Sequence, residues 1–292
     1  MLSIVESVFN SRSVALSQLQ EAEKNILRYL GLENWQAPEP LSYERGSRDV
    51  FSAGRLDAEH FQEKYYAARN ALFKAGAKRF IPFQNLLTTL TNGHTPLHHD
   101  LTQGGVPFLC AEHVTDFNLR FDSEKRILIE HHEKELARTA VKNGDVLLTI
   151  KGRVGNAAIA ENVPEPVNIN QDVALLRFND TLPLWYIVAY LNSRFGKLQS
   201  EKMATGAINP FLGLSNVLKF EIPELEKETM EAIANETKKH INLARSAKNH
   251  ASQLLDAAKR AVEIAIEEDE TAAMNYLSAT LQTMDEKPKE TR

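Results

Sequence analysis

GDVLLTIKGRVGNAAIA, residues 144–160, contains the pattern that decides the fold of the middle of this chain. A Gly-Asp pair precedes an apolar run, a Gly-x-x-Gly turn follows the run, and a second apolar run comes directly after the turn. Short apolar runs bounded by turn residues are typical of buried strands. The stretch therefore predicts two strands joined by a glycine-containing turn that presents Lys151, Arg153 and Asn156.

Similar apolar runs, separated by Gly, Asn, Asp and Pro, extend on both sides of this stretch. They are FIPF, VPFLCAEHV, RILI and VALLRF. One helical insertion is predicted at LPLWYIVAYLNSRFGKLQSEK, where apolar residues recur at helical spacing and Pro183 suits a first turn. Together these elements predict a mixed α/β domain over residues 78–223.

The segment before this domain, residues 1–77, reads as helical with a linker. One helix is predicted in SVALSQLQEAEKNILRYLG, with Gly31 at its end, and a second in GRLDAEHFQEKYYAARNALFKAG. Pro38 and Pro40 between them push the residues that precede them out of the helical region, which predicts an extended connection.

Residues 224–275 predict one long helix, because no Gly or Pro occurs from Glu224 to Glu268 and apolar residues recur at alternating spacings of three and four. A helix of this length needs a partner, and many alanines along one face allow a second helix to approach closely. The alternative is that the helix lies on its own domain. The face predicted to pair with a partner helix consists of Ile233, Ala244, Ala247, Ala251, Leu254, Ala258 and Ala261. Residues 276–292 read as a polar tail.

Composition places the chain among soluble proteins. It has 292 residues, 43% hydrophobic and 25% charged, and a formal net charge of -5. No apolar run approaches the roughly 20 residues that span a membrane, and the first residues lack the features of a secretory signal, so we expect a cytoplasmic protein. The two flanking segments are acidic, whereas residues 78–223 carry 15 basic and 15 acidic side chains and six of the nine histidines. An anionic partner is therefore expected to bind the middle domain through local patches.

Catalytic patterns are absent from the sequence. The histidines lack metal-ligand spacing, so no metal site is expected, and the lone Cys110 reads as a small buried hydrophobe. A metal-dependent nuclease would need an acidic residue two positions before Lys151, but Thr149 stands there. Neither a phosphate-binding Gly-rich loop nor an adenine methyltransferase motif occurs. Glu112, in the same run as Cys110, has a minor alternative reading as an acceptor for a cytosine amino group.

Three loops combine glycine with amide, hydroxyl or basic side chains, a combination that suits the DNA major groove. The alternative is that Gly and Asn are simply what turns require. The first loop is the turn at residues 151–156. The others are TTLTNGHTPLHH and ATGAINPF, and the run NINQD adds two amides. Besides Lys151, Arg153 and Asn156, the candidate DNA contacts are His94, Thr95, His98, Asn170, Gln171, Thr205 and Asn209.

The order of these motifs resembles the target-recognition domain of type I restriction-modification specificity subunits. GDVLLTIKGRVG is the most specific piece, NGHTP resembles the family's Gly-Thr-Pro loop, and LGLENW and AGRLDAEHFQEKY resemble the segment that precedes such a domain. The resemblance covers nearly the whole chain, and the Ala-rich helix resembles the spacer helix. One recognition domain and one spacer helix correspond to the half-size form, and IPELEKET departs from the proline-rich, Gln-containing pattern at the helix start.

The resemblance implies a mixed α/β target-recognition domain followed by a coiled-coil-forming spacer helix. It implies a subunit that has no catalytic activity, binds double-stranded DNA and reads one half of a bipartite target. Two copies would pair through antiparallel long helices. The chain would bind no cofactor itself. S-adenosylmethionine, ATP and Mg²⁺ would belong to partner methyltransferase and restriction or translocase subunits, and a type II setting is equally compatible. Two alternatives from other classes are a coiled-coil protein-binding adaptor and a metal-dependent nuclease.

Overall fold

The computed structural model describes residues 2–96, 105–206 and 208–286. The described residues form two compact units. One unit is residues 23–237, and the other combines residues of 1–22 with residues of 238–292. This division differs from the predicted one, in which residues 1–77 stand apart from the middle domain. No helix in the described part of the chain is long and apolar enough to cross a membrane.

The helices are α1 (Leu2–Tyr29), α2 (Ser47–Ala53), α3 (Glu63–Lys74), α4 (Ile129–Glu133), α5 (Leu184–Asn192), α6 (Arg194–Met203), α7 (Leu214–Val217), α8 (Lys227–Glu267) and α9 (Glu270–Glu286). The strands are β1 (Arg79–Pro82), β2 (Leu87–Asn92), β3 (Val106–Leu109), β4 (Val114–Thr115), β5 (Asn118–Leu119), β6 (Arg126–Ile127), β7 (Val146–Thr149), β8 (Ala157–Ile159), β9 (Asn168–Ile169), β10 (Val173–Phe178) and β11 (Glu221–Glu224). The predicted fold class, a mixed α/β domain followed by a long helix, is confirmed.

A four-stranded antiparallel sheet, in the order β2-β10-β7-β8, forms the centre of the larger unit. Every residue of β7 and β8 is buried, because both strands lie in the core, which explains their continuous apolar runs. The antiparallel order brings the ends of β2 and β7 to the same edge as the starts of β10 and β8. Thr149, the last residue of β7, lies opposite Val173, the first residue of β10.

The Gly-Asp pair at the start of β7 has a structural role. Asp145 is 2% exposed, and its carboxylate accepts hydrogen bonds from Arg177 Nε at 2.7 Å and Nη2 at 3.1 Å. The same carboxylate accepts a hydrogen bond from the Lys142 backbone N–H at 2.9 Å. These bonds join the start of β7 to the end of β10. The Gly-Asp motif therefore stabilises the sheet.

Smaller sheets surround the central one. β3 pairs with β6 in antiparallel and with β9 in parallel orientation, β1 pairs with β11, and β4 pairs with β5. The pairing of β1 with β11 brings the two ends of the predicted middle domain together, and α3 packs against α6. These contacts explain why residues 23–77 belong to the same unit as the middle domain.

The helical insertion and two strands are among the local predictions that differ from the structure. The insertion predicted as one helix is two, α5 and α6, because Ser193 adopts an extended backbone and caps α6 by accepting from the Gly196 N–H at 3.4 Å. β2 and β9 were not predicted as strands, because their sequences, LTTLTN and NI, are polar or very short.

The long helix finds its partners within the chain. In the smaller unit, side chains of α8 form one apolar cluster with side chains of α1 and α9. The Gln18 amide oxygen of α1 accepts a hydrogen bond from His240 Nδ1 of α8 at 2.7 Å. The cluster's buried members are Ile4, Val8, Ala251, Leu254, Ala257, Ala261, Ile264, Ala273 and Leu277, with Ala258 partly buried beside them. In the larger unit, the Asn25 amide of α1 donates to the Ile233 carbonyl at 3.0 Å and to Thr237 Oγ1 at 2.9 Å.

This packing corrects the predicted dimerisation face. In a single copy of the chain, five of its seven residues are buried: Ile233, Ala244, Ala251, Leu254 and Ala261. The other two, Ala247 and Ala258, are half-buried. The physical reason is that the sequence pattern shows that a face needs covering but not which helix covers it. A second copy would have to displace helices of the same chain to reach these residues.

The predicted polar tail is also different in the structure. α8 ends at Glu267, and Asp269 starts α9 by accepting from the Ala272 N–H at 2.8 Å, the geometry of an N-cap. Residues 276–286 therefore belong to a helix, and Leu277 is buried in the apolar cluster. The turn contains neither Gly nor Pro, so the capping aspartate was its only sequence signal.

Candidate nucleic-acid interface

Four loops meet at one edge of the central sheet. We call this the loop edge and define it as residues 93–95, 150–153, 170–172 and the described residues of 205–211. The first segment follows β2, the second follows β7, the third precedes β10, and the fourth follows α6. Antiparallel strand order alone brings the first three together, and backbone hydrogen bonds attach the fourth.

The turn after β7 presents two cations. Lys151 and Arg153 are exposed, and Thr149 at the end of the strand holds the turn closed: its hydroxyl donates to the Arg153 carbonyl and accepts from the Asn156 N–H. Lys151 Nζ lies 3.7 Å from Asp172 Oδ1, so its charge is partly balanced. The Arg153 guanidinium makes no ion pair or hydrogen bond with any described residue. Arg153 is therefore the cation most available to a ligand.

The segment after β2 approaches β9 closely, and Gly93 is required for that approach. A Cβ atom at Gly93 would lie 1.8 Å from the carbonyl oxygen of Ile169, so no side chain fits there. This approach brings Thr95 beside Gln171, where the threonine hydroxyl hydrogen-bonds the amide oxygen. His94 is half-exposed, with Nε2 3.3 Å from Glu135 Oε2. His98 lies outside the described residues.

The loop after α6 is fixed at its base. Thr205 and Phe211 exchange backbone hydrogen bonds of 2.9 and 2.8 Å, and the Leu212 N–H donates to the Ile150 carbonyl at 2.9 Å. Lys151 Nζ lies 5.6 Å from the centre of the Phe211 ring. Thr205 and Asn209 are exposed. The loop is therefore joined to the turn that carries the two cations.

A second layer of contacts supports this loop from residues 55–60, which were predicted to start the second helix but precede α3 in the structure. Arg55 pairs with Asp57, and its Nη2 lies 3.4 Å from the Ala204 carbonyl oxygen. The buried His60 ring hydrogen-bonds the Lys202 carbonyl through Nδ1 at 2.9 Å, and burial lowers the pKa of His60. Residues 55–60 thus help to position the loop edge.

Two predicted contact residues have polar groups that already bond within the protein. Asn170 is 6% exposed, and its amide donates to Asp172 at 2.9 Å and accepts from the Asp172 N–H. Asn156 accepts from Lys197 Nζ at 2.7 Å, and Lys197 also pairs with Asp116 at 2.5 Å. Since their polar atoms are already hydrogen-bonded, we correct their assignment: they support the loops and do not present amides to a ligand.

Gly155, in the turn after β7, has a structural role. Its φ is +93°, and a Cβ atom there would lie 2.6 Å from Ser200 Oγ. The glycine is needed because the turn packs against α6.

The run GVPFLCAEHV is a scaffold. After β3, Cys110 is followed by a turn of 3-10 helix at residues 111–113, and Cys110, Glu112 and His113 place potential ligand atoms within 4.8 Å of one another. However, His113 Nδ1 accepts from the Cys110 backbone N–H at 3.0 Å, so the neutral ring carries its proton on Nε2 and has no free lone pair for a metal. Burial raises the pKa of Cys110 and lowers that of His113.

Sequence reasoning missed two residues of the loop edge, Ile208 and Phe211. Ile208 is 91% exposed and Phe211 38% exposed. Both belong to the quoted run ATGAINPF, but apolar residues are assigned to the core by default, so only the polar members were selected. No sequence signal distinguishes an exposed isoleucine from a buried one in a loop.

No protein-family model matches the sequence, and no curated protein matches it. Among solved structures, the chain is similar to one from a study of complex assembly and conformational transition of the type I R-M system. The identity is 13% and the TM-score 0.46, and the match covers 96% of this chain and 57% of that one. It is similar to the HsdS subunit from Thermoanaerobacter tengcongensis at 14% identity, with a TM-score of 0.43, covering 92% of this chain and 57% of that one.

A third similar structure is the type I restriction-modification S subunit from M. genitalium, at 19% identity with a TM-score of 0.47, covering 71% of this chain and 50% of that one. The chain thus spans about half the length of the structures it matches. These structural neighbours come from type I restriction-modification systems, and two of them are the specificity subunits of such systems.

Proposed function

We propose that this chain is a DNA sequence-recognition subunit without catalytic activity of its own. The observation that carries the proposal is the convergence of separately predicted residues on the loop edge. Four different loops each bring at least one polar side chain to this edge. These side chains are Lys151, Arg153, Thr95, Gln171 and Thr205.

The chemistry of the loop edge suits double-stranded DNA. Lysine and arginine contact phosphates or guanine edges, glutamine contacts adenine edges, and threonine hydroxyls contact either. The Arg153 guanidinium, with no partner among the described residues, has its donors available, and Gln171 has an amide group beside Thr95. His94 and Asn209 extend the polar surface on either side.

The family resemblance of the sequence motifs supports the cellular setting. In this proposal the chain reads one half of a bipartite DNA target and docks a methyltransferase subunit, with a restriction or translocase subunit as a further partner. S-adenosylmethionine, ATP and Mg²⁺ act on those partner subunits. GDVLLTIKGRVG, which carries the resemblance, also forms the strand and turn that present Lys151 and Arg153.

A protein-binding adaptor is the second candidate, and α2 favours it. This helix has no buried residue, and Phe51 and Leu56, on and just after it, are 81% and 86% exposed. Exposed apolar side chains grouped on one short segment are typical of protein-docking surfaces. In a recognition subunit, the same segment would dock a partner subunit.

A salt titration of DNA binding tests the proposal. The purified chain is mixed with a labelled pool of random duplexes, and affinity is measured by fluorescence anisotropy between 50 and 200 mM salt. A recognition subunit should lose affinity steeply with salt, because each phosphate contact releases counterions, and selection should enrich one sequence. Absence of DNA binding at low salt would favour the adaptor. Cleavage by the isolated chain with Mg²⁺ would instead show a nuclease.

A further inference from the structure

The loop from Thr205 to Phe211 carries an isoleucine at its middle, beyond the two hydrogen bonds that close its base. Thr205 Oγ1 adds a third bond at the base by donating to the Phe211 carbonyl at 3.2 Å. Outside the loop, the Asn216 amide donates to the Met203 carbonyl at 2.9 Å. Leu212, directly after the loop, is completely buried. The position of the loop is therefore set by the core.

Ile208 is 91% exposed in this loop. Asn209 beside it and Thr205 at the loop base are exposed, and Phe211, three residues later, lies 5.6 Å from Lys151 Nζ. The cores of protein–protein interfaces are depleted of charged residues, lysine above all. An exposed apolar side chain on a loop whose base is hydrogen-bonded beside the turn of Lys151 and Arg153 matches a nucleic-acid surface better than a protein surface.

We infer that Ile208 is a specificity-determining residue that contacts the 5-methyl group of a thymine in the major groove of the target. In that groove the thymine methyl is the one apolar group that distinguishes base-pair edges, and apolar side chains contact it. Ile208 offers the apolar surface, while Lys151 and Arg153 hold the adjacent backbone or bases. The inference rests on the proposed function and adds a defined base to it.

Uracil substitution tests this contact directly, because uracil pairs like thymine and lacks only the methyl group. The full chain, with any partner subunits that co-purify, is measured on its selected target after each thymine in turn is replaced by uracil. For the wild type, one position should weaken binding about fourfold, the value of one buried methyl group. Ile208→Ala should bind the thymine target about that much more weakly and lose its sensitivity at that position alone.

Ile266→Ala is the matched control, since Ile266 is 81% exposed and belongs to the other compact unit. It should bind every duplex as the wild type does. The inference is overturned if the Ile208→Ala variant keeps every thymine preference, if it weakens binding equally at all positions as a base-stacking wedge would, or if the selected target contains no thymine. In each case the wild type still binds DNA, whereas failure of the proposed function would abolish binding altogether.

Discussion

Asp145 and Arg177 form a bidentate ion pair at the start of β7, with hydrogen bonds of 2.7 and 3.1 Å, and the two side chains are unequally buried. The aspartate side chain is 3% exposed and the arginine 31%. Arg177→Ala leaves a buried carboxylate without its cation and should cost about 3 kcal/mol of unfolding free energy. Asp145→Ala should cost less, because water can hydrate Arg177.

Denaturant unfolding of both single variants and of the double variant measures this order. The double variant should be more stable than the sum of the single losses implies, because the two residues share one interaction. A larger loss for Asp145→Ala than for Arg177→Ala would contradict the unequal burial.

Removal of the two exposed cations at the loop edge should weaken DNA binding in different ways. For Arg153→Ala we expect a loss of about 1–3 kcal/mol with relaxed specificity at one position if the residue reads a base, or a uniform loss if it contacts phosphate. Lys151→Ala should reduce the slope of log affinity against log salt by about one and weaken binding to all sequences alike, as expected for a phosphate contact. Anisotropy titrations on target and random duplexes separate these outcomes, with Lys259→Ala in the smaller unit as the control. Unchanged binding by both variants would remove this turn from the interface.

Gly93→Ala should disturb both the fold and the interface. Its Cβ atom would have to displace the Ile169 backbone, so we expect a loss at the upper end of the roughly 1–3 kcal/mol range for overpacking, together with weaker DNA binding. Gly46→Ala is the control, since its Cβ would lie at an ordinary 3.7 Å from Asp49 and its φ is −65°. Thermal unfolding and anisotropy measure the two effects. Equal stability of the two variants would show that the segment after β2 does not approach β9 as described.

Leu254→Ala should destabilise the smaller unit by about 2–5 kcal/mol, because the side chain is 3% exposed within a single copy of the chain. Ile266→Ala on the same helix, 81% exposed, should change stability by less than about 0.5 kcal/mol. Unfolding midpoints measured over a hundredfold range of protein concentration should not shift, since the contacts of Leu254 are intramolecular. A midpoint that rises with concentration would mean that a second copy covers this face instead.

Mild acid should lower stability through buried histidines. Burial of His60 and His113, and partial burial of His132, lower the pKa of each ring below the ordinary value of 6.5 in the folded protein. The unfolded chain therefore binds more protons below pH 6.5, so the stabilisation is complete above that pH and is lost as pH falls towards the lowered folded-state values. Thermal unfolding at pH 7.5 and 5.5 should show a lower midpoint in acid, with a smaller difference in His113→Gln. Equal midpoints in the wild type would contradict the burial of these rings.

The local sequence pattern was sufficient to predict the strands β7, β8 and β10, the long helix and three of the loops, because periodicity and turn residues are encoded in neighbouring positions. The local pattern did not show that Asn156 is held by Lys197, because Lys197 is distant from it in sequence. It also did not show that Asn170 is buried, because its burial depends on the final geometry of the turn. The same limit applies to the alanine face of α8. Its apolar spacing is correct, but its partners are α1, more than two hundred residues earlier, and α9 after an unpredicted turn.

The pairing of α1 with α8 also constrains how the protein is made. Gln18 and His240 are 222 residues apart in sequence, so at a synthesis rate of roughly 5–20 residues per second α1 emerges from the ribosome about 10–45 s before the helix that covers it. During that interval the side chains of Ile4 and Val8 have no partner from the smaller unit's apolar cluster. We therefore expect the apolar face of α1 to stay uncovered during synthesis until α8 has been made.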